Sequence, residues 1–242
     1  MKLIKLDAID STNDFLKGLA SKQFVENFTV VTAEIQTKGK GQMGSVWVAE
    51  KGKNLTMSVL IKDVLIDLNQ IYTLNIAVAL AVVRALQSFK IPELAIKWPN
   101  DIMSYNYKIG GILIENSIKI DGSVTSIVGI GININQTNFE NLPKGSSLAV
   151  IAKQEFDKQA VLVAILKELK DAMIVLKTNP DSLWREYLNL LFKKNVPVPF
   201  ELPDGDRFMG IIQGVSAHGK LQILLENDAV VQYNIKEIQM LY

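Results

Sequence analysis

The chain has 242 residues, enough for one large domain or for a medium domain followed by a small one. Hydrophobic residues make up 48% and charged residues 21%, as is typical of a soluble globular protein. The formal net charge of +1 provides no overall field for nucleic acid or an anionic membrane, so local charges must bind any anion. There are no cysteines and one histidine, which excludes disulfides, cysteine nucleophiles and thiolate or multi-histidine metal sites. A cytoplasmic location fits this composition.

The first predicted element is a helix that begins near Ser11. Either Asp10 or Ser11 can cap it, and Asp14 provides the acidic residue of the first turn. The N-terminus lacks the apolar run of a signal peptide. Two runs rich in β-branched residues then predict strands on either side of a glycine-rich loop: residues 28–35, the loop at 37–45, and residues 55–61.

The most apolar stretch, residues 71–89, is about as long as the ~20 residues of a membrane span. It contains Asn75, Arg84 and Gln87, and its ends lack the charge asymmetry of a span. The stretch therefore favours a helix buried in a core, which we predict for residues 69–89.

The rest of the first two hundred residues predicts an α+β domain with a mostly antiparallel sheet. We expect a tight hairpin turn at Asp121-Gly122. The predicted strands are residues 94–98, 109–116 and 124–135, and the predicted helices are 157–176 and 180–192.

The pattern changes after residue 192. Three of the seven prolines, Pro197, Pro199 and Pro203, fall within a few residues of each other, and short alternating strands follow. His218 lies at one of the turns, where we expect it to be exposed. We predict a small antiparallel barrel at residues 193–242 after a larger domain at residues 1–192.

Residues 39–44 match the pattern G-x-G-x-x-G of a dinucleotide site, and Asp63 lies about where a ribose-binding acid would be. That motif must open a helix, however, and residues 45–48 are β-like, so the interpretation fails. What remains is a flexible loop in which glycines and Lys38 and Lys40 suit an anion. A solvated hairpin connection explains the same residues.

Residues 97–101 (KWPND) place a lysine and an aspartate at the end of an apolar strand that Pro99 stops. A β-turn explains Asn100 and Asp101 but leaves Lys97 unexplained. Lys108 precedes a strand with two glycines, which weaken a strand unless another group approaches its backbone.

The alternation in residues 129–135 predicts a further polar strand face. Gly129, Gly131, Asn133 and Asn135 would share it, which suits either a flat ligand or solvent.

Taken together, these elements resemble the biotin–protein ligase family over nearly the whole chain. The fold that the resemblance implies is a class-II-synthetase-like mixed sheet with helices, followed by an SH3-like barrel. In chain order the matching elements are residues 10–13 (DSTN), 36–41 (QTKGKG), Trp47, 97–101 (KWPND), 108–115 (KIGGILIE) and 129–133 (GIGIN).

The resemblance implies an ATP-dependent enzyme that forms biotinyl-5′-AMP and then transfers biotin to a lysine of a biotin carboxyl carrier domain. Magnesium would arrive on the ATP phosphates, with no metal held by the protein alone. The implied biotin-binding residues are Ser11, Thr12, Asn13, Gln36, Gly39, Lys40, Gly41, Gln42, Lys108 and Gly111. The implied catalytic residues are Lys108, Asp101, Lys97 and Lys40, and the implied nucleotide-binding residues are Trp47, Asn100, Lys97 and Asn133.

The second reaction needs an uncharged amine, whereas a free lysine has a pKa of about 10.4. Asp101 is our candidate to orient or deprotonate the incoming lysine.

Two departures from relatives matter. Many have arginine where this chain has Gln42, and some carry an N-terminal helix-turn-helix repressor domain. Because the ligase pattern starts within the first dozen residues, we expect a monofunctional form that does not bind DNA; relatives can also form homodimers.

Three other functions could be carried by parts of this sequence. A lipoate or octanoate ligase shares the catalytic fold but carries a different glycine-rich arginine motif. A silent biotin- or nucleotide-binding module would not need Lys97, Asp101 and Lys108 together. A single-strand nucleic-acid binder would need a basic, aromatic-lined groove, whereas aromatic residues make up only 7% of this chain.

Overall fold

A computed structural model describes residues 2–63, 71–118, 123–140 and 142–242. The chain forms a seven-stranded sheet packed against helices and a five-stranded C-terminal sheet. This arrangement confirms the predicted α+β class, and the C-terminal sheet is compatible with an SH3-like barrel.

The bounds of the elements are as follows. The large sheet contains β1 (Leu3–Ile9), β2 (Val30–Gln36), β3 (Leu55–Lys62), β4 (Leu94–Lys97), β5 (Asp101–Ser104), β6 (Tyr107–Ile118) and β7 (Val124–Ile132), in the spatial order β1-β2-β3-β7-β6-β5-β4. The helices are α1 (Thr12–Lys22), α2 (Ile71–Ser88), α3 (Leu148–Ala152), α4 (Lys158–Thr178) and α5 (Pro180–Leu190). The C-terminal sheet contains β8 (Pro197–Glu201), β9 (Arg207–Val215), β10 (Leu221–Leu224), β11 (Val230–Tyr233) and β12 (Gln239–Met240).

Strand β1 is absent from the sequence predictions. It lies at the edge of the large sheet with mostly half-buried or exposed residues, so its apolar pattern is weak. It pairs with β2 in parallel, and the other strand pairs of the described residues are antiparallel. The parallel pairing carries the chain through α1 from β1 back to β2, which brings the start of α1 beside the end of β2.

The cap of α1 is Ser11, whose Oγ accepts a hydrogen bond from the Asp14 backbone N–H over 3.4 Å. Asp10 instead accepts hydrogen bonds from Thr37 and Lys38 of the glycine-rich loop. The expected turn at Asp121-Gly122 and the expected start of α2 at Asn69 lie outside the described residues. His218 is exposed at a turn, as predicted.

Helix α2 is long and apolar enough to cross a membrane, but 72% of it is buried inside the fold. It packs against α4 and α5, as a helix that is apolar on all sides does in a core. Its one arginine, Arg84, is bound by the carboxylate of Glu186 on α5, with its Nε 2.9 Å from Oε1. The prediction of a buried helix is confirmed.

The hydrophobic core runs from the large sheet through α2 and α4 into the C-terminal sheet. Phe200, Ile212 and Ile223 of the C-terminal sheet belong to the same cluster of buried side chains as Leu80 and Ile96. The two sheets therefore share one core, and the division at residues 192 and 193 stays a prediction.

Candidate functional site

A cavity of about 250 Å³ opens on the large sheet between α1, the glycine-rich loop and β6. We call it the candidate cavity. It collects residues that are far apart in the sequence, and twelve of the predicted site residues line it: Ser11, Thr12, Asn13, Gln36, Lys40, Gly41, Gln42, Trp47, Asn100, Asp101, Lys108 and Gly111.

Glycines form the floor of the candidate cavity. The indole of Trp47 lies so close to Gly131 that an added Cβ would be 2.6 Å from its ring atoms. A Cβ on Gly129 would be 2.5 Å from Asn13 Oδ1. Any larger residue at these positions would displace its neighbour, so the two glycines keep a flat floor on which an aromatic ring or ligand can lie.

One end of the candidate cavity is lined by uncharged polar side chains that form a hydrogen-bond network. Gln36 Oε1 accepts hydrogen bonds from the backbone N–H of Thr12, over 2.8 Å, and from its hydroxyl, over 3.0 Å. Ser58 Oγ lies 2.7 Å from Thr12 Oγ1 and 2.6 Å from Asn13 Oδ1. Asn13 Nδ2 donates in turn to Glu115 over 2.8 Å. These contacts fix the side chains in place, so the end is preorganised for a ligand with both donors and acceptors.

The other end is charged. Asp101 Oδ1 lies 2.5 Å from Lys108 Nζ, and Asp101 Oδ2 lies 3.5 Å from Lys97 Nζ. The side chains of Asp101 and Lys97 are 14% and 19% exposed, so the carboxylate is largely shielded from water. One carboxylate thus faces two ammonium groups, which leaves positive charge for an anionic ligand.

A β-bulge sets the direction of Lys108. Ile102 pairs with Gly110 but Met103 pairs with Lys108, so Ile109 is an extra residue on β6. Positions 108 and 111 would lie on opposite faces of a regular strand. The extra residue brings both to the face of Asp101, and a Cβ on Gly111 would lie 3.5 Å from Lys108 Cε.

The lysines of the glycine-rich loop are paired with carboxylates. Lys38 Nζ lies 2.8 Å from Asp10 Oδ2, and this hydrogen bond, with a second from Thr37, lowers the pKa of Asp10. Lys40 Nζ lies 2.7 Å from Asp14 Oδ2, and the bond to Asp14 raises the pKa of Lys40. The two ion pairs tie the loop to α1.

The loop itself folds as a compact turn. A short 3-10 turn spans Gln42–Gly44, Lys40 bridges to Val46, and the Trp47 backbone N–H donates to the Gly39 carbonyl over 3.0 Å. No α-helix follows the glycines in this described segment, in agreement with the exclusion of a dinucleotide motif. Gly39 is not among the residues that line the cavity, and an added Cβ there would be 2.3 Å from the Trp47 carbonyl oxygen.

Two buried polar atoms of the loop have no hydrogen-bond partner among the described residues: Gln42 Oε1 and Trp47 Nε1. Such an atom costs about 1–3 kcal/mol when it is left unpaired. Both residues line the candidate cavity. A ligand that supplies one donor and one acceptor would remove this cost.

Asn133 is one predicted site residue that lies outside the candidate cavity. Strand β7 ends at Ile132, so the predicted polar face continues no further than Gly131. Asn133 is buried and its Nδ2 donates to the Ser146 carbonyl over 3.0 Å, whereas Asn135 is bound to the backbone of Phe156. The expectation of one shared face is wrong for these two asparagines, and an adenine-reading role for Asn133 stays a prediction.

The KWPND turn is held from two sides. Asn100 Nδ2 donates to the Ile112 carbonyl of β6 over 2.7 Å, and Trp98 Nε1 donates to the Gly219 carbonyl of the C-terminal sheet over 2.9 Å. The Trp98–Pro99 peptide bond is cis. These contacts position Asp101 and Lys97 at opposite ends of the turn.

Lys97 lines a neighbouring cavity between the KWPND turn and the C-terminal sheet. Its Nζ lies 5.5 Å from the ring centre of Tyr242, and Lys144 Nζ lies 3.9 Å from the same centre. Burial, and then the charge of Asp101, raise the pKa of Tyr242 to about 12.

Several residues that line or support the candidate cavity were missed by the sequence analysis. Ser58, which supports Thr12 and Asn13 from below, could have been found, because it interrupts the apolar strand β3. Ile235 and Lys236 could not, because they reach the candidate cavity from the loop between β11 and β12 and only the fold brings them there.

Residues 6–135 match the family model described as the biotin/lipoate A/B protein ligase family. The chain is 33% identical over 194 residues to a bifunctional ligase/repressor BirA of Bacillus spizizenii, which covers 76% of this chain. The match spans 59% of that relative's length. The chain is also 29% identical over 215 residues to a biotin–[acetyl-CoA-carboxylase] ligase of Mycobacterium tuberculosis, covering 87% of this chain and 79% of the relative.

Among solved structures, the fold is similar to the biotin protein ligase of Aquifex aeolicus in complex with biotin and ATP. The TM-score is 0.81 at 26% sequence identity, and the superposition covers 99% of this chain and 98% of the other.

Proposed function

The chain belongs to the biotin/lipoate A/B protein ligase family, and from that premise we propose that it is a biotin–protein ligase. It would form biotinyl-5′-AMP from biotin and ATP and then transfer biotin to a lysine of a biotin carboxyl carrier domain. One observation carries the proposal. A single cavity holds an uncharged polar end at Thr12 and Gln36, a flat glycine floor and a charged end at Lys108 and Asp101.

The proposed first step is attack of the biotin carboxylate on the α-phosphate of ATP, with release of pyrophosphate. Both reactants are anionic, so fixed cations must bring them together and stabilise the developing charge. Lys108 is suited to contact the carboxylate and the α-phosphate, and Lys97, on the far side of Asp101, is suited to the departing phosphates. The ureido ring of biotin would lie at the Thr12–Gln36 end, and Trp47 would cover the ligand.

The proposed second step is attack of an acceptor lysine amine on the biotinyl carbonyl, with AMP as the leaving group. The amine must first lose a proton, and Asp101 is the carboxylate at the charged end that can orient it. Both oxygens of Asp101 lie near lysines of the enzyme, so the incoming ammonium would compete with Lys97 and Lys108 for the same carboxylate.

Magnesium would enter as part of the ATP substrate. The described residues contain no group of three or more acidic, histidine or cysteine side chains that could hold a metal. A Mg²⁺ ion fits as a phosphate-bound partner, since it keeps most of its water and binds through few carboxylates. The cytoplasmic location, the homodimer and the absence of DNA binding remain predictions.

A biotinylation assay tests the proposal. The protein is incubated with MgATP, biotin and a purified carboxylase carrier domain, and covalent biotin is measured alongside biotin-dependent exchange of pyrophosphate into ATP. We expect both activities. Absence of both activities would reject the proposed enzymatic function. Incorporation of lipoate but not biotin in a parallel reaction would show that the protein is a lipoate ligase.

A further inference from the structure

Lys236 reaches the glycine-rich loop from the C-terminal sheet. Its Nζ donates a hydrogen bond to the Met43 carbonyl over 2.5 Å. Lys236 lines both the candidate cavity and the neighbouring cavity that contains Lys97. It is therefore a contact between the C-terminal sheet and the loop that covers the candidate cavity.

The position of Lys236 is fixed by its own turn. Lys236 has a left-handed backbone, with φ of +70°. The neighbouring Glu237 accepts hydrogen bonds from the backbone N–H of Asn234, over 2.6 Å, and from Asn234 Nδ2, over 2.8 Å. The Glu237 carboxylate is thus bound to Asn234 rather than to Lys236.

Lys236 also lacks a counter-ion. It forms no ion pair in the part of the chain that the structure describes, in contrast to Lys38 and Lys40, whose charges are offset by Asp10 and Asp14. The residue at the tip of the loop, Gln42, is neutral and has an unpaired buried oxygen. The unpaired cation beside this part of the candidate cavity therefore comes from the C-terminal sheet.

We infer that Lys236 retains the acyl-adenylate: it closes the glycine-rich loop through Met43 and supplies positive charge for the phosphate of the mixed anhydride. This inference rests on the proposed function. The C-terminal sheet then acts on the intermediate directly, and Gln42 contributes a hydrogen bond rather than a charge. Release of the intermediate requires the Lys236–Met43 contact to break.

The test measures how fast labelled biotinyl-adenylate leaves the enzyme after excess MgATP is removed. Lys236→Met is compared with Lys194→Met, a matched loss of one charge at a residue that lines neither cavity. We expect release to accelerate by about tenfold in Lys236→Met, the effect of one charge-assisted hydrogen bond, and to stay within about twofold of wild type in Lys194→Met.

Two further measurements separate retention from a folding defect. Gln42→Arg, which puts a cation into the loop, is expected to restore slow release in the Lys236→Met background. Hydrogen exchange of residues 39–47 in the ligand-free protein is expected to be faster in Lys236→Met than in Lys194→Met. Equal release from the two lysine variants, or no rescue by Gln42→Arg, would overturn the inference. If the wild-type protein made no biotinyl-adenylate, the proposed function would be rejected, and the inference would be rejected with it.

Discussion

Trp98 Nε1 donates a hydrogen bond to the Gly219 carbonyl over 2.9 Å, and Tyr72 packs against the same glycine from α2. Gly219 has φ of +82°, and an added Cβ would lie 2.4 Å from Tyr72 Cδ2. The glycine is therefore held between the KWPND turn and the core helix, and it joins both to the C-terminal sheet.

Gly219→Ala is expected to lower the free energy of unfolding by about 2–4 kcal/mol, because it adds a steric clash to a left-handed backbone. Guanidinium denaturation measures the loss. Gly205→Ala is the control, since Gly205 has φ of +93° but no atom within 4 Å of the added Cβ. Its loss should be only about 1 kcal/mol. Equal losses would show that packing against Tyr72 contributes nothing.

Asp101→Asn preserves the shape of the side chain but removes the charge that faces Lys97 and Lys108. We expect transfer of biotin to the carrier domain to slow by about a hundredfold, the usual contribution of a general base. Release of biotinyl-adenylate should change much less. Single-turnover transfer from preformed biotinyl-adenylate is measured, with Asp7→Asn, at an exposed site on β1, as the control. If Asp101→Asn impaired transfer of biotin and retention of biotinyl-adenylate equally, the role of Asp101 in activating the acceptor lysine would be rejected.

Gln42→Gly removes a side chain that lines the candidate cavity and adds backbone freedom to the loop. We expect biotinyl-adenylate to leak and to label lysines of a bystander protein. The measurement is biotin on serum albumin after incubation with the enzyme, MgATP and biotin. Bystander labelling at the wild-type level would contradict the prediction.

Tyr187→Phe tests the buried tyrosine pair of α2 and α5. The hydroxyls of Tyr72 and Tyr187 are 3.0 Å apart, and burial raises the pKa of both. Above pH 10 the unfolded chain loses these protons while the folded chain keeps them, so stability falls by about 1.4 kcal/mol per pH unit for each tyrosine. Tyr187→Phe should make this decline shallower above pH 10 and cost about 1–3 kcal/mol at pH 7 by leaving Tyr72 unpaired. Urea unfolding at pH 7 to 11 measures both effects. If the decline of the free energy of unfolding above pH 10 were as steep in Tyr187→Phe as in the wild type, the raised pKa of Tyr187 would be contradicted.

The sequence predicted the large elements well because they depend on local patterns. Helix α2 follows from its unbroken apolar run, α1 from the cap at Ser11, and β3 from its β-branched residues. Strand β1 was missed, because a partly exposed edge strand buries too few residues to leave a clear alternation.

At the candidate cavity and its charged end, the sequence identified residues that stand out in a strand or turn: Asp101 and Lys108, which line the cavity, and Lys97 beside them. It could not identify Lys236, whose place depends on how two sheets pack. It predicted Asn133 on the same strand face as Gly129 and Gly131, but β7 ends at Ile132 and the Asn133 side chain is bound to the Ser146 carbonyl.

The bulge on β6 has a consequence for changes in chain length. Removing the extra residue, Ile109, would let β6 pair regularly with β5 and would leave the lysine and Gly111 two residues apart, still on one face of the strand. The deletion would instead cost stability, because Ile109 is fully buried in the core. An insertion at the exposed hairpin tip around Tyr105 would leave this register intact. Two neighbouring stretches of one hairpin should therefore differ in their tolerance of insertions and deletions, and the less tolerant one is the strand segment that buries Ile109 rather than the loop.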